Sequence, residues 1–190
     1  MAHTAEIGQA GSARDAESTR QRILEAATEA FAASGYDGAS TRVIAGKAGV
    51  DPRLITRYYG SKEALFERVV ERVYRHPLMM VPGQNTAVAR ALLDDAPVSQ
   101  AQGLLLTIRS VANERAAGIM RRHLEQHYQR QLAGALPDGP DAVARAALLI
   151  AVCTGVQMQR NVLGNGALAG QAAEAVVGRL AAALDLIGNP

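Results

Sequence analysis

Apolar residues recur every three or four positions along most of this chain. Ile23, Ala26, Ala27, Ala30 and Phe31 share one stripe, while Arg20, Arg22, Glu25 and Glu29 take the opposite face. The pattern predicts a helix over 18–35 that stops at Gly35, with Tyr36, Asp37 and Gly38 as the connecting turn. Two much shorter helices follow. The first has Val43, Ile44, Ala45 and Ala48 on its apolar face, Ser40 and Thr41 to cap it and Gly49 to end it. The second opens with Asp51 as N-cap and Pro52 at the first helical position, where a missing N–H costs nothing. It runs to about Tyr59, and Gly60 ends it. Ser61 then caps a longer helix over 61–75 that carries Ala64, Leu65, Val69, Val70 and Val73. Glu63 lies in its first turn, where a carboxylate suits the helix dipole.

Pro77, Pro82 and Gly83 form a hinge-like break, and a second unit begins at His76. Its helical stretches are expected near 85–95, 98–111, 113–136, 141–163 and 171–187. The stretch 141–163 is apolar nearly all round, with Val143, Ala146, Ala147, Leu148, Leu149, Ile150, Val152 and Val156. Such a helix must be buried on both sides. The stretch 171–187 is similar, with Ala172, Val176, Val177, Leu180, Ala183, Leu184 and Ile187. The reading is therefore all-α: a disordered lead-in over 1–17, a three-helix head over 18–75 and a helical body over 76–190.

Length, capping and turn chemistry make the two short helices a helix-turn-helix. Gly49 permits the backbone conformation that lets the second helix cross the first. Composition agrees with helix throughout: aromatic residues are only 4% of the 190. Net charge is +2, which does not by itself announce a polyanion partner; its distribution says more, although an ordinary solvated helix face would show the same charges. Between Ser40 and Lys62 stand Arg42, Lys47, Arg53, Arg57 and Lys62 against Asp51 alone, the local basic patch of a DNA-binding head. The single cysteine, Cys153, excludes an intramolecular disulfide. The first residues lack the pattern of a signal peptide. The most apolar run, 146–156, falls short of the roughly 20 residues a membrane span needs. A soluble, cytoplasmic protein without a membrane partner is expected.

The segment Thr41 to Leu65, TRVIAGKAGVDPRLITRYYGSKEAL, resembles the DNA-binding head of the tetracycline-repressor (TetR) family. The most diagnostic parts are Thr41-Arg42, Ala45, Ala48-Gly49-Val50 and the run Tyr58 to Leu65. The resemblance covers residues 18–75, and beyond His76 it is architectural only. One departure is Thr56, which stands where the family usually carries an aromatic. The resemblance implies double-stranded operator DNA as partner, a homodimer built on the last two long helices, and an effector pocket among the inner helices of the body.

A recognition helix offers its N-terminal residues to base edges in the major groove. Residues three or four apart share a face, so Arg53 with Arg57, and Leu54 with Tyr58, form rows that can look outward, while Ile55 and Tyr59 face the core. Each arginine can pair with guanine, worth roughly 1–3 kcal/mol of discrimination, and Leu54 suits a thymine methyl. Thr41, Tyr58 and Lys62 suit phosphates. Arg42 resembles a family position that reaches base or phosphate. For the dimer interface the candidates are Leu149, Val152, Val156, Val176, Leu180 and Leu184.

Polar and soft residues interrupt the inner helices at Arg109, Met120, His123, His127, Tyr128, Gln157, Met158 and Asn161. They are candidates for a mostly apolar pocket that takes a small, largely apolar effector, although methionine and tyrosine at helical spacing also serve as plain core. His123 and His127 sit one turn apart, but their order is not HExxH and no third ligand stands near them, so no metal is expected. No cofactor motif is present, and no constellation of nucleophile and base suggests an enzyme. The expected function is sequence-specific repression relieved by an effector. The competing reading is a ligand-independent DNA-binding dimer whose body serves assembly only.

Overall fold

The computed structural model describes residues 3–74, 84–94 and 98–189, with side chains described over 15–74, 84–94 and 102–189. The expected hinge at Pro77, Pro82 and Gly83, the end of the joining helix at Arg75 and the Ala96-Pro97 break lie outside the described residues. Ten α-helices are described: α1 His3–Gly38, α2 Thr41–Ala48, α3 Arg53–Tyr59, α4 Lys62–Val73, α5 Asn85–Leu93, α6 Val98–Ser110, α7 Glu114–His123, α8 Arg130–Ala135, α9 Ala142–Gln157 and α10 Gly170–Gly188. A π-helical turn, Leu124–Gln129, joins α7 to α8, so the single stretch expected over 113–136 is one rod with a bulge in it. A second π turn, Met158–Val162, continues α9. No strand occurs among the described residues.

Residues 3–17, expected as a disordered lead-in, are described as part of α1. Ala5, Ala10, Ala13 and Ala16 have the highest intrinsic helix propensity and extend a helix already nucleated by the packed stripe beyond Ser18. The apolar run 146–156, read from sequence as too short for a membrane span, lies within a longer apolar helical stretch. Ala142–Val162 is 21 residues and, by length and composition alone, enough to cross a membrane, because the π turn adds Met158 and Val162. Its inner face, Ala146, Leu149, Ile150 and Cys153, packs in the body.

The first core gathers Ile23, Ala27, Phe31, Ile44, Ala45, Ile55, Leu65, Phe66, Val69 and Val70 from α1 to α4. It does not stop at the expected boundary after residue 75. Leu106 of α6 and Ala116, Ile119 and Met120 of α7 belong to the same cluster. A second core joins Val88 and Leu92 of α5 to Leu132, Leu149, Ile150 and Leu184. A third locks Ala89 and Leu93 against Ala173, Val177 and Ala181 of α10.

Gly35 decides how head meets body. It interrupts α1 with φ 70° and ψ 180°, outside the range other residues favour. A Cβ at this position would lie 2.2 Å from the Arg109 carbonyl oxygen, so only glycine lets the ends of α1 and α6 approach so closely. Around it, the Ser110 hydroxyl accepts from the Tyr36 N–H at 3.0 Å, and the Asn113 amide donates to the Asp37 carboxylate at 2.8 Å. Arg115 pairs with Glu63 at 2.8 Å. Asn113 also caps α7 by accepting from Ala116 N–H at 3.0 Å.

Candidate nucleic-acid interface

The helix-turn-helix forms for the reasons its sequence suggests. The Ser40 hydroxyl accepts from the Val43 N–H at 3.2 Å and caps α2. Gly49 adopts the left-handed conformation, φ 64° and ψ 42°, and its N–H closes onto the carbonyls of Ala45 and Gly46. The Asp51 carboxylate accepts from the Arg53 N–H at 2.8 Å, which satisfies a donor that α3 would otherwise leave open. Ser61 repeats the device for α4, accepting from Ala64 N–H at 3.0 Å.

α3 is anchored from beneath. Ile55 is buried in the first core, and the half-buried Tyr59 donates its hydroxyl to the Arg20 carbonyl at 2.8 Å. Burial, first of all, raises the Tyr59 phenol above its ordinary value, so the hydroxyl stays a donor. With that face fixed, Arg53 and Arg57 are exposed together on α3, and Arg42 is exposed on α2. Among the described residues none of these three is held by a carboxylate. Lys47, by contrast, pairs with Glu29 at 3.3 Å. Leu54 and Tyr58 are half-buried and pack against the core, so their row is less outward than spacing suggests. Thr41 is half-buried at the start of α2. The Lys62 ammonium sits 4.6 Å from the centroid of Tyr36, a contact that orients the cation without neutralising it.

The pocket candidates do not gather in one place. Arg109 lies at the head–body seam, where its guanidinium donates to the Ala32 carbonyl. Met120 is buried in the first core. His123 is half-buried, with its ring 6.0 Å from Tyr74 and 4.7 Å from the exposed His127. Tyr128 packs against the second core, and burial drives its phenol well above the ordinary range. Cys153 is likewise pushed up to about 12 by burial, which leaves it an unreactive thiol. Gln157 and Asn161 are half-buried and Met158 is exposed. His127 and Tyr128 stand on the first π turn, Met158 and Asn161 on the second.

The interface candidates also divide. Leu149 and Leu184 are almost wholly buried in the chain's own second core, at 1% and 0% exposure. Val152, Val156, Val176 and Leu180 are half-buried against the second and third cores. The open apolar face of α9 consists of Val143, Leu148 and Ala151, continued by Met158 and Val162. On α10 the exposed small and apolar positions include Ala175, Gly178, Ala182 and Leu186. Sequence reasoning missed these because a helix apolar all round does not reveal which face its own chain covers. It also missed Arg20, whose signal was only a basic residue on the outer face of α1.

Residues 23–69 match the family model described as bacterial regulatory proteins, tetR family, and residues 84–187 match that of the tetracyclin repressor-like C-terminal domain. The HTH-type transcriptional repressor SCO4008 of Streptomyces coelicolor is 43% identical over 70 residues, which are 37% of this chain and 36% of that protein. The HTH-type transcriptional repressor NicS of Pseudomonas putida is 37% identical over 89 residues, 47% of this chain and 39% of that protein. The matched stretch is thus well under two thirds of either relative. The crystal structure of SCO4942 from Streptomyces coelicolor aligns with a TM-score of 0.63 at 25% identity, over 89% of this chain and 97% of that one.

Proposed function

From the premise that this chain belongs to the TetR family of bacterial regulatory proteins, we propose that it is a cytoplasmic, sequence-specific repressor. It sits as a homodimer on a pseudo-palindromic operator and leaves it when a small, largely apolar molecule binds the body. The observation that carries the reading is α3, buried along Ile55 and presenting Arg53 and Arg57 exposed and unpaired by carboxylates. In this reading those two arginines meet base edges, with Leu54 at a thymine methyl, while Thr41, Tyr58 and Lys62 meet phosphates and Arg42 reaches either. Both relatives named above are repressors, which supports the same direction of control.

Dimerisation uses the apolar faces that α9 and α10 leave open, with Val152, Val156, Val176 and Leu180 at their margins. Leu149 and Leu184 support those helices from within. Tyr128, His127, Met158 and Asn161 are the best-supported effector contacts, because they lie on the two π turns, and such bulges recur at functional sites. The test is enrichment of bound fragments from genomic DNA, followed by a small-molecule screen for release. Fragments sharing an inverted repeat, and a compound that frees them, are expected. Enrichment of no sequence over bulk DNA would contradict the reading.

A further inference from the structure

Tyr58 is shared by two guanidinium groups. The central carbon of Arg57 lies 6.0 Å from the ring centroid, and that of Arg20, which reaches over from α1, lies at 5.0 Å. Arg20 is steadied from the other side by Glu17 at 3.2 Å. Its backbone carbonyl accepts the Tyr59 hydroxyl at 2.8 Å. One residue of α1 therefore touches both consecutive tyrosines at the end of α3, one through its main chain and one through its side chain.

We propose that Arg20 is a positioning residue of the DNA interface: its guanidinium holds the Tyr58 ring, and with it Arg57, in the arrangement that α3 presents to DNA. The proposal rests on the DNA-binding reading above. Its physical basis is that α3 is only seven residues long, so its outward side chains have few neighbours to order them. Long side chains lose rotamer freedom on binding, and a contact that fixes them beforehand reduces that loss. A guanidinium suits this role because it is planar, delocalised and weakly hydrated, and it lies readily on an aromatic face. An ammonium keeps the charge but not the flat surface. The role also explains why Arg20 can matter although its carboxylate partner partly offsets its charge.

The experiment uses the full chain and the duplex that it enriches from a random-sequence pool. Arg20 is exposed, so Arg20→Ala and Arg20→Lys should both fold. Both are expected to lower affinity for that duplex by about two- to ten-fold and to relax preference at the base pairs that Arg57→Ala also relaxes. Arg20→Lys should keep the salt slope of the unaltered protein, and Arg20→Ala should add nothing in a Tyr58→Leu background. Ring-proton shifts of Tyr58 without DNA should move in both variants. Unchanged shifts would overturn the positioning role even if DNA binding stands. So would full rescue by lysine with loss by alanine spread equally over all sequences, the signature of a plain phosphate contact. A chain that enriches no duplex overturns the operator reading and this role together.

Discussion

Arg53 and Arg57 differ from Lys62 in what their surroundings let them do. The two arginines are exposed on the outer side of α3 without a carboxylate partner among the described residues, whereas the half-buried Lys62 ammonium rests over Tyr36 at the start of α4. Arg53→Ala or Arg57→Ala should therefore relax preference at particular base pairs by about 1–3 kcal/mol. Lys62→Ala should weaken all duplexes alike and lower the salt slope by about one. Competition with single-base operator variants at several salt concentrations separates the two. His123 carries a different prediction. Burial holds its pKa below the ordinary histidine value, and His127 adds to the depression, while Glu71 and Glu67 oppose it. The unfolded chain then binds the proton more readily, so this contribution to stability is complete above about pH 6.5 and is lost as the pH falls through the lower folded value. Thermal melts from pH 7.5 to 5 should show a shallower acid loss in His123→Asn than in the unaltered chain. Single residues with a local job were legible from sequence: Asp51 and Ser61 as caps follow from type and spacing. Arg20 was not, because its meaning depends on a tyrosine 38 positions away in the chain.

At the scale of elements, the sequence yielded helix types and order because periodicity and capping are local. It did not yield which side of α9 or α10 faces the chain itself. Leu148 and Leu149 are adjacent and equally apolar, yet one is 52% exposed and the other 1%. Nor did it reveal that Arg109 serves the seam, since its partner is the Ala32 carbonyl. Two joints follow from these long-range contacts. Gly35→Ala should strain the backbone and drive a methyl group into the Arg109 carbonyl, costing about 1–3 kcal/mol or more in urea unfolding. Arg145 is buried, donating to Asp141 at 2.9 Å, to the Pro137 carbonyl at 2.7 Å and to the Gly188 carbonyl at 2.5 Å. It ties the 136–141 loop to the end of α10. Arg145→Met should cost about 1–3 kcal/mol for each carbonyl left without a donor, seen as a lower unfolding midpoint.

For the whole molecule, the continuous packing of α1 and α4 against α6 and α7 means the head cannot turn without disturbing those two body helices. A ligand in the body need then only prefer a dimer whose heads are wrongly spaced, with a typical coupling of roughly 1–3 kcal/mol. Linkage requires operator DNA to weaken effector binding by the same factor. Titration of the released compound against free and DNA-bound protein checks this, and equal affinities would reduce the body to assembly alone. The proposed dimer should break when its open face is charged. Leu148→Glu with Leu186→Glu places charges where a second copy should pack, at positions 52% and 80% exposed within one chain. Sedimentation should show monomers with helical content retained; an unchanged dimer would move the interface elsewhere. The central claim is that two copies of α3 read DNA together, and hydroxyl-radical footprinting of the unaltered protein on its enriched duplex tests it most directly. Two protected patches related by a dyad, with centres about one helical turn or roughly 34–36 Å apart or modestly more, are predicted. A single asymmetric patch without a repeated half-site would contradict the account.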